Sequence, residues 1–268
     1  DGGDETFLGY DFRYVPHAIE ASARRVMPEV LAPASGWLGR HWPRSRRLPR
    51  PLRVGTLLEN LGRDPASAYY FDLAFLKPSA TRTLLGRAPD GALEQSPVFA
   101  AVTDPYRRCP SKDAVQRAAY ADLHVYMPND PLVKVDRMSM AHSLEVRCPL
   151  LDRRVVELAF RIPASRKQQG QTGKVLLRRL ARARLPEGLW KLPKKGFTAP
   201  IGAWLAGPHA AQFRDEVLSR GASVNDVIDR TVLERAFAQH QTRQADHSYT
   251  LWAAWVLERW LSRNRVLA

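Results

Sequence analysis

Lys134-Val135-Asp136-Arg137-Met138-Ser139-Met140-Ala141-His142-Ser143-Leu144-Glu145-Val146-Arg147-Cys148-Pro149-Leu150-Leu151-Asp152 embeds charges in an apolar run. A buried charge is costly unless it is paired. Asp136, Arg137, Glu145, Arg147 and Asp152 are therefore expected to find partners, either one another in an internal salt-bridge network or a charged ligand. Asp136 to Leu144 reads as a helix, and Asp130-Pro131 ahead of it marks a turn.

Working outward, most of the chain carries helical periodicity. Ala18 to Leu31 reads as a helix with Pro16 near its start, and Pro28 should kink or end it. Residues 33–53 hold Pro33, Pro43, Pro49 and Pro51 and six arginines, and read as a basic connector. Leu52 to Leu61 restarts a helix, and Ala68 to Phe75 is an aromatic patch suited to a core. Residues 79–111 read as short helices and loops. Lys112 to Met127, Val155 to Phe160 and Gly173 to Leu185 read as further helices. In Tyr249 to Leu261, residues Leu251, Trp252, Trp255, Val256 and Trp260 form a broad apolar stripe, hence a buried helix. No series of alternating strands stands out, so the segment is expected to be predominantly α.

The chain has 268 residues and 45% hydrophobic content, an ordinary globular composition. No run of about 18 apolar residues exists, which argues against a transmembrane helix. Cys109 and Cys148 make neither a disulfide framework nor a zinc-binding spacing, so a reducing, cytoplasmic setting is the default. The first residues are acidic, glycine-rich and without an initiator Met, as if cut from a longer protein. Net charge is +14, with 33 arginines against 8 lysines. That balance fits either a nucleic-acid or phosphate partner or an Arg-rich coding bias, and the spread of arginines along the chain weakens the nucleic-acid reading.

Phosphate-loop, dinucleotide, zinc-protease and nucleophile-elbow patterns are absent. His142 and His247 sit in interesting neighbourhoods, but a lone histidine is more often structural or solvent-facing. Two further segments are unusual. In Asp1-Gly2-Gly3-Asp4-Glu5-Thr6-Phe7-Leu8-Gly9-Tyr10, three carboxylates interleave with glycines, which lets backbone approach a ligand while oxygens face a hard cation; a solvated acidic terminus reads equally well. In Leu192-Pro193-Lys194-Lys195-Gly196-Phe197-Thr198-Ala199-Pro200-Ile201-Gly202-Ala203-Trp204, a lysine pair framed by glycine and proline suits a phosphate contact or an exposed basic turn.

Taken together, the three segments resemble the synthetase domain of the glutamine-dependent asparagine synthetase family. Its pattern runs S-G-(D/E)-G-x-D-E-x-F-x-G-Y, then N-D-x-L-x-K-x-D-R-x-S-M-A-x-x-L-E-x-R-x-P-(F/L)-L-D, then R-x-K-x-G-F-x-x-P-x-x-x-W. Asp1 to Tyr10, Asn129 to Asp152 and Lys194 to Trp204 follow it in order, and Asp246-His247-Ser248 with Leu251-Trp252 fits the tail. The resemblance covers essentially all of residues 1–268 as one synthetase domain.

The resemblance implies the helical C-terminal part of an α/β ATP pyrophosphatase fold (adenine-nucleotide α-hydrolase-like). It implies ATP-dependent adenylation of a carboxylate, most simply the aspartate side chain, and displacement of AMP by glutamine-derived ammonia. ATP and Mg²⁺ are the implied cofactors. By motif position Lys194 is the catalytic lysine, with Arg147 and Asp4 as catalytic partners. Asp1 and Asp4 are the implied magnesium ligands. Gly2, Gly3, Glu5, Arg137, Lys174 and Lys195 complete the nucleotide- and pyrophosphate-binding set. The implied partners are ATP, a carboxylate substrate and a glutaminase domain of the same parent chain, with a homodimer left open and neither nucleic acid nor membrane expected.

The chain departs from the pattern at Leu192, where the family usually has Arg, and at Thr6 and Leu8. The S-G-G-x-D-S loop that cleaves ATP, the glutaminase domain and the preceding strands have no copy here. The segment is therefore expected to carry half of an active site and to be inactive alone. Other readings are a relative that cyclises or amidates a different carboxylate, a degenerate scaffold, and a basic helical nucleic-acid binder.

Overall fold

A computed structural model describes residues 1–43, 49, 52–76, 78–86, 96–190 and 199–264. Among them β structure is confined to one isolated bridge between Gln169 and Thr172, so the predominantly α expectation holds. No helix of the described residues is long and apolar enough to cross a membrane. Both cysteines are free thiols, Cys109 buried and Cys148 partly so.

The chain divides into two units, Asp1–Leu73 with Glu94–Pro193, and Ala74–Leu93 with Lys194–Ala268. In the first, the Asp11–Val26, Pro65–Leu73, Pro97–Arg108 and Ala114–His124 helices surround a core of Leu8, Tyr14, Tyr69, Val102, Tyr106, Val115 and the alanines 66, 118, 119, 121 and 164. Local chemistry sets the helix starts. Asp113 caps its helix by accepting from the Val115 and Gln116 amides at 2.9 and 3.0 Å. Ser96 accepts from Phe99 at 3.1 Å ahead of Pro97. These bonds satisfy amides that a helix start leaves unpaired.

In the second unit, the Pro78–Leu85, Ile201–Ala206, Ala210–Val217, Arg230–Gln241 and Ser248–Arg263 helices enclose Phe213, Leu233, Phe237, Leu251 and Trp255. Phe213 stacks on Phe237 at 5.0 Å and meets the edge of Trp255 at 5.7 Å. Glu216 accepts two bonds from Arg259, at 2.9 and 3.0 Å, and one from the Trp255 indole. The arginine, with help from the indole, holds its carboxyl down at about 2.

Several boundaries differ from the periodicity reading. The first long helix spans Asp11–Val26 rather than 18–31 and carries Pro16 inside; Pro28 does end it, and Glu29–Leu31 is a separate 3₁₀ turn. The first part of the 33–53 connector is a helix, Ala32–His41, because Pro33 falls in its first turn, where a missing amide costs nothing. Residues 44–48, 50 and 51 of that connector lie outside the described residues. In the aromatic patch Tyr69 and Phe71 are buried, but Phe75 is exposed. The Ser248–Arg263 helix buries Leu251, Ala254, Trp255 and Glu258, while Val256 and Trp260 face out.

Candidate active site

Residues 2–10 fold into a compact turn. Gly2 sits at φ 85°, in the left-handed region that glycine occupies without penalty, and caps the short helix Gly3–Thr6. Its carbonyl accepts from Thr6 at 2.9 Å, and Asp4's carbonyl accepts from Gly9 at 2.7 Å. A Cβ at Gly2 would overlap the side chain of Leu151. The turn thus lies directly on Pro149–Leu151, the end of the charged middle motif.

A second segment clasps the turn from the sequence region 173–178. The Lys174 amide donates to the Phe7 carbonyl at 3.0 Å and the Gly173 amide to Asp11 Oδ1 at 3.2 Å. A Cβ on Gly173 would collide with the Leu8 carbonyl, so the approach requires glycine here. Lys174 adopts φ 54°, starts the Val175–Arg184 helix and brings Nζ to 3.2 Å from Asp4 Oδ1. Both side chains are about a quarter exposed, so the pair forms the rim of the turn rather than its interior.

The three carboxylates of the turn do not act alike. Asp1 is exposed and Asp4 partly so, whereas Glu5 is 1% exposed and accepts from the Tyr10 hydroxyl at 2.7 Å. Burial pushes the Glu5 carboxyl above its ordinary range, opposed by the Tyr10 hydrogen bond. Glu5 is part of the framework of the turn, contrary to an arrangement in which all three carboxylates face one cation. Asp1 and Asp4 remain as the pair that could hold a divalent ion. Two carboxylates suit Mg²⁺, which keeps several waters and binds through one or two carboxylates plus substrate phosphate oxygens.

Beneath the turn lies a residue that the sequence did not single out. Lys167 is fully buried, donating to the Thr6 carbonyl at 3.3 Å and the Ala159 carbonyl at 2.9 Å. Burial lowers its ammonium to about 8. A lysine usually lies at the surface, and nothing in Ala164-Ser165-Arg166-Lys167 marks this one as different. Nearby, Asp122 is buried; Tyr14 donates to it at 2.8 Å, and Arg13 forms an ion pair with it at 3.4 Å. Burial raises its carboxyl while Arg13 opposes the rise.

The middle motif overturns the expectation of burial but not of pairing, since Arg147 pairs with Glu145 and Asp152 with Arg154. Asp136, Arg137, Glu145, Arg147 and Asp152 are all exposed. The Pro131–Met140 helix ends before residues 144–148 run on without regular structure, and Met138, Met140, Leu144 and Val146 are exposed beside the charges. Arg147 pairs with its neighbour Glu145, and both, with Asp136 and Ser139, line a groove along the motif. Arg137 points from the last turn of its helix, and His142 is an exposed side chain whose Nδ1 lies 2.9 Å from the Met138 carbonyl.

Of the basic residues expected near the opening turn, the structure therefore brings Lys174 to Asp4. The motif carrying Arg147 reaches the turn through Leu150 and Leu151 rather than through the guanidinium. Lys194 and Lys195, like Leu192, lie outside the described residues.

With this geometry in hand, comparison with known proteins defines the class. The sequence model of the asparagine synthase family matches residues 1–262, and the chain belongs to that family. A Mycobacterium tuberculosis H37Rv protein named "Putative asparagine synthetase (glutamine-hydrolyzing)" is 29% identical over 97% of this chain. Asparagine synthetase (glutamine-hydrolyzing) 1 of Bacillus subtilis is 28% identical over 98% of it. The chain spans only 38% and 40% of the lengths of these two relatives. No solved structure matches the chain.

Proposed function

We propose that the chain supplies the pyrophosphate-facing part of a site that activates a carboxylate with ATP, as one portion of a glutamine-dependent asparagine synthetase. The carboxylate oxygen attacks the α-phosphate, an acyl-adenylate forms, and pyrophosphate leaves; ammonia from glutamine then displaces AMP. The observation that carries the reading is the clasped opening turn. A family motif folds into a compact hydrogen-bonded turn that holds Asp4 beside Lys174 and leaves Asp1 exposed at its start.

Charge develops on the α-phosphate and the leaving pyrophosphate, so catalysis rests on preorganised cations there. Lys174 is one such cation, fixed by its backbone bond to Phe7. Lys194 carries the catalytic-lysine role by motif position, Lys195 flanks it, and Arg147 and Arg137 contribute from the exposed middle motif. Mg²⁺ held by Asp1 and Asp4 would neutralise phosphate oxygens and reduce their repulsion. Gly2 and Gly3 seat the turn against Leu151 and Leu150, and Glu5 keeps the turn in shape from beneath.

The test is pyrophosphate release from ATP and aspartate in the full-length parent enzyme. Lys194→Ala and Asp4→Asn are expected to reduce release by 10²-fold or more, on the order of one lost oxyanion donor, while glutamine hydrolysis persists. Release that survives both changes overturns the assignment. The 268-residue chain alone is expected to make no AMP; robust turnover by it would refute the half-site reading.

A further inference from the structure

Away from the opening turn, the inward face of the Asp11–Val26 helix carries His17 and Glu20, which at i, i+3 spacing share one side. They are 1% and 2% exposed. Asp72, from the Pro65–Leu73 helix, brings a carboxylate to them. One nitrogen or oxygen from each of the three lies within 4.8 Å of the other two.

The outward-facing atoms of this group are already engaged. His17 Nε2 lies 2.8 Å from the Tyr106 hydroxyl. A single amide nitrogen, Asn60 Nδ2, donates to Glu20 Oε1 at 2.7 Å and to Asp72 Oδ1 at 2.8 Å. The inward-facing atoms His17 Nδ1 and Glu20 Oε2 are buried without a hydrogen-bond partner. They stand 3.7 Å apart, too far for a hydrogen bond. Arg24, 4.0 Å from Glu20 Oε2, spends its own donors on the Asn60 and Arg63 carbonyls at 2.6 and 2.7 Å.

Two buried polar atoms left unmatched carry a desolvation cost that protein interiors rarely tolerate. Ligands roughly 2.0–2.2 Å from one ion stand roughly 3–3.5 Å from each other, close to the observed gap. The outer bonds match the supports of a metal site, in which a ligating imidazole has its second nitrogen occupied and ligating carboxylates are themselves hydrogen-bonded. We propose that His17, Glu20 and Asp72 form a divalent transition-metal site that takes Zn²⁺ or Mn²⁺. Tyr106 and Asn60 orient the ligands, and the partly exposed Asp72 marks the side of entry. The site ties the helix that follows the opening turn to the Pro65–Leu73 helix. It is independent of the adenylation reading.

The test uses the purified chain stripped with chelator, then titrated separately with Zn²⁺ and with Mn²⁺. About one ion per chain should survive gel filtration, and Tm should rise by about 5 °C or more, as expected for a ligand bound by the native state alone. His17→Gln should abolish both effects. Asp72→Asn, a milder change at a partly exposed position, should keep the metal-free Tm and weaken affinity about tenfold or more, so the test stands even if His17→Gln folds poorly. Asp4→Asn should leave retention and the Tm rise intact. No retained ion and no Tm shift with either metal overturns the proposal, as does equal retention by wild type and both site variants. A shift lost in Asp4→Asn but kept in His17→Gln places the ion at the opening turn and also overturns it.

Discussion

Single residues beneath and beside the opening turn carry opposite electrostatic loads. For Glu5, burial raises the carboxyl above its unfolded value near 4.5. The folded state then keeps a proton that the unfolded state has lost, so stability falls as pH climbs from that value through the folded one. Glu5→Gln, which removes the titration and retains an acceptor for Tyr10, is expected to be more stable than wild type at neutral pH and equal to it below pH 4; urea melts at the two pH values check this. Lys167 behaves in the complementary way. Its ammonium is lowered from 10.5 to about 8, so the unfolded state binds the proton more tightly between those values and stability rises with pH there. The rise is at most about 3 kcal/mol, and Lys167→Met should flatten it. At the rim, the quarter-exposed Asp4–Lys174 pair should show a coupling of only about 0.5–1 kcal/mol in a double-mutant cycle. Its importance is positional: it sets where the two charges stand.

Elements show where periodicity reads well and where it does not. The helix read over residues 112–127 is present as Ala114–His124, but its cap is a structural finding: Asp113, counted inside the helix by periodicity, stands just before it and accepts from two of its first amides. Asp113→Ala should cost about 1 kcal/mol of unfolding free energy. The clasp at 173–174 was not open to inspection. It depends on Gly173 meeting Leu8 from more than 160 positions away, a contact that local pattern does not encode. Gly173→Ala should destabilise the first unit by roughly 1–3 kcal/mol, and in the parent enzyme it should lower pyrophosphate release, which a cap substitution such as Asp113→Ala should leave nearly unchanged. The Asp11–Val26 helix was read as starting seven residues late, because its first two turns mix Phe12, exposed, with Tyr14, buried, and Pro16 looked like a boundary. An aromatic-rich start with a proline has no clear 3.6-residue stripe until its neighbours are known.

For the molecule as a whole, an excess of positive charge coexists with exposed apolar side chains. Val26, Val30, Met138, Met140, Leu144, Val146, Val256 and Trp260 are each about half exposed or more, and surfaces of that kind drive association. A charge of +14 opposes it. Self-association of the isolated chain should therefore grow as salt rises from 0.05 to 0.5 M and the Debye length shrinks. Light scattering across that range measures it, and association that weakens with salt would mean that charge, not apolar contact, holds the copies together.

By itself the sequence determined the helical class, the motif order and the family, because those properties reside in residue type and spacing. Tertiary structure alone decided that Glu5 is buried while Asp4 stays at the rim, that Lys174 is the cation beside Asp4, that the charges of the middle motif face solvent, and that Lys167 and the His17–Glu20–Asp72 group lie inside. Each of these is a matter of which side chains lose water, and desolvation is set by distant segments packing together rather than by neighbours in the chain.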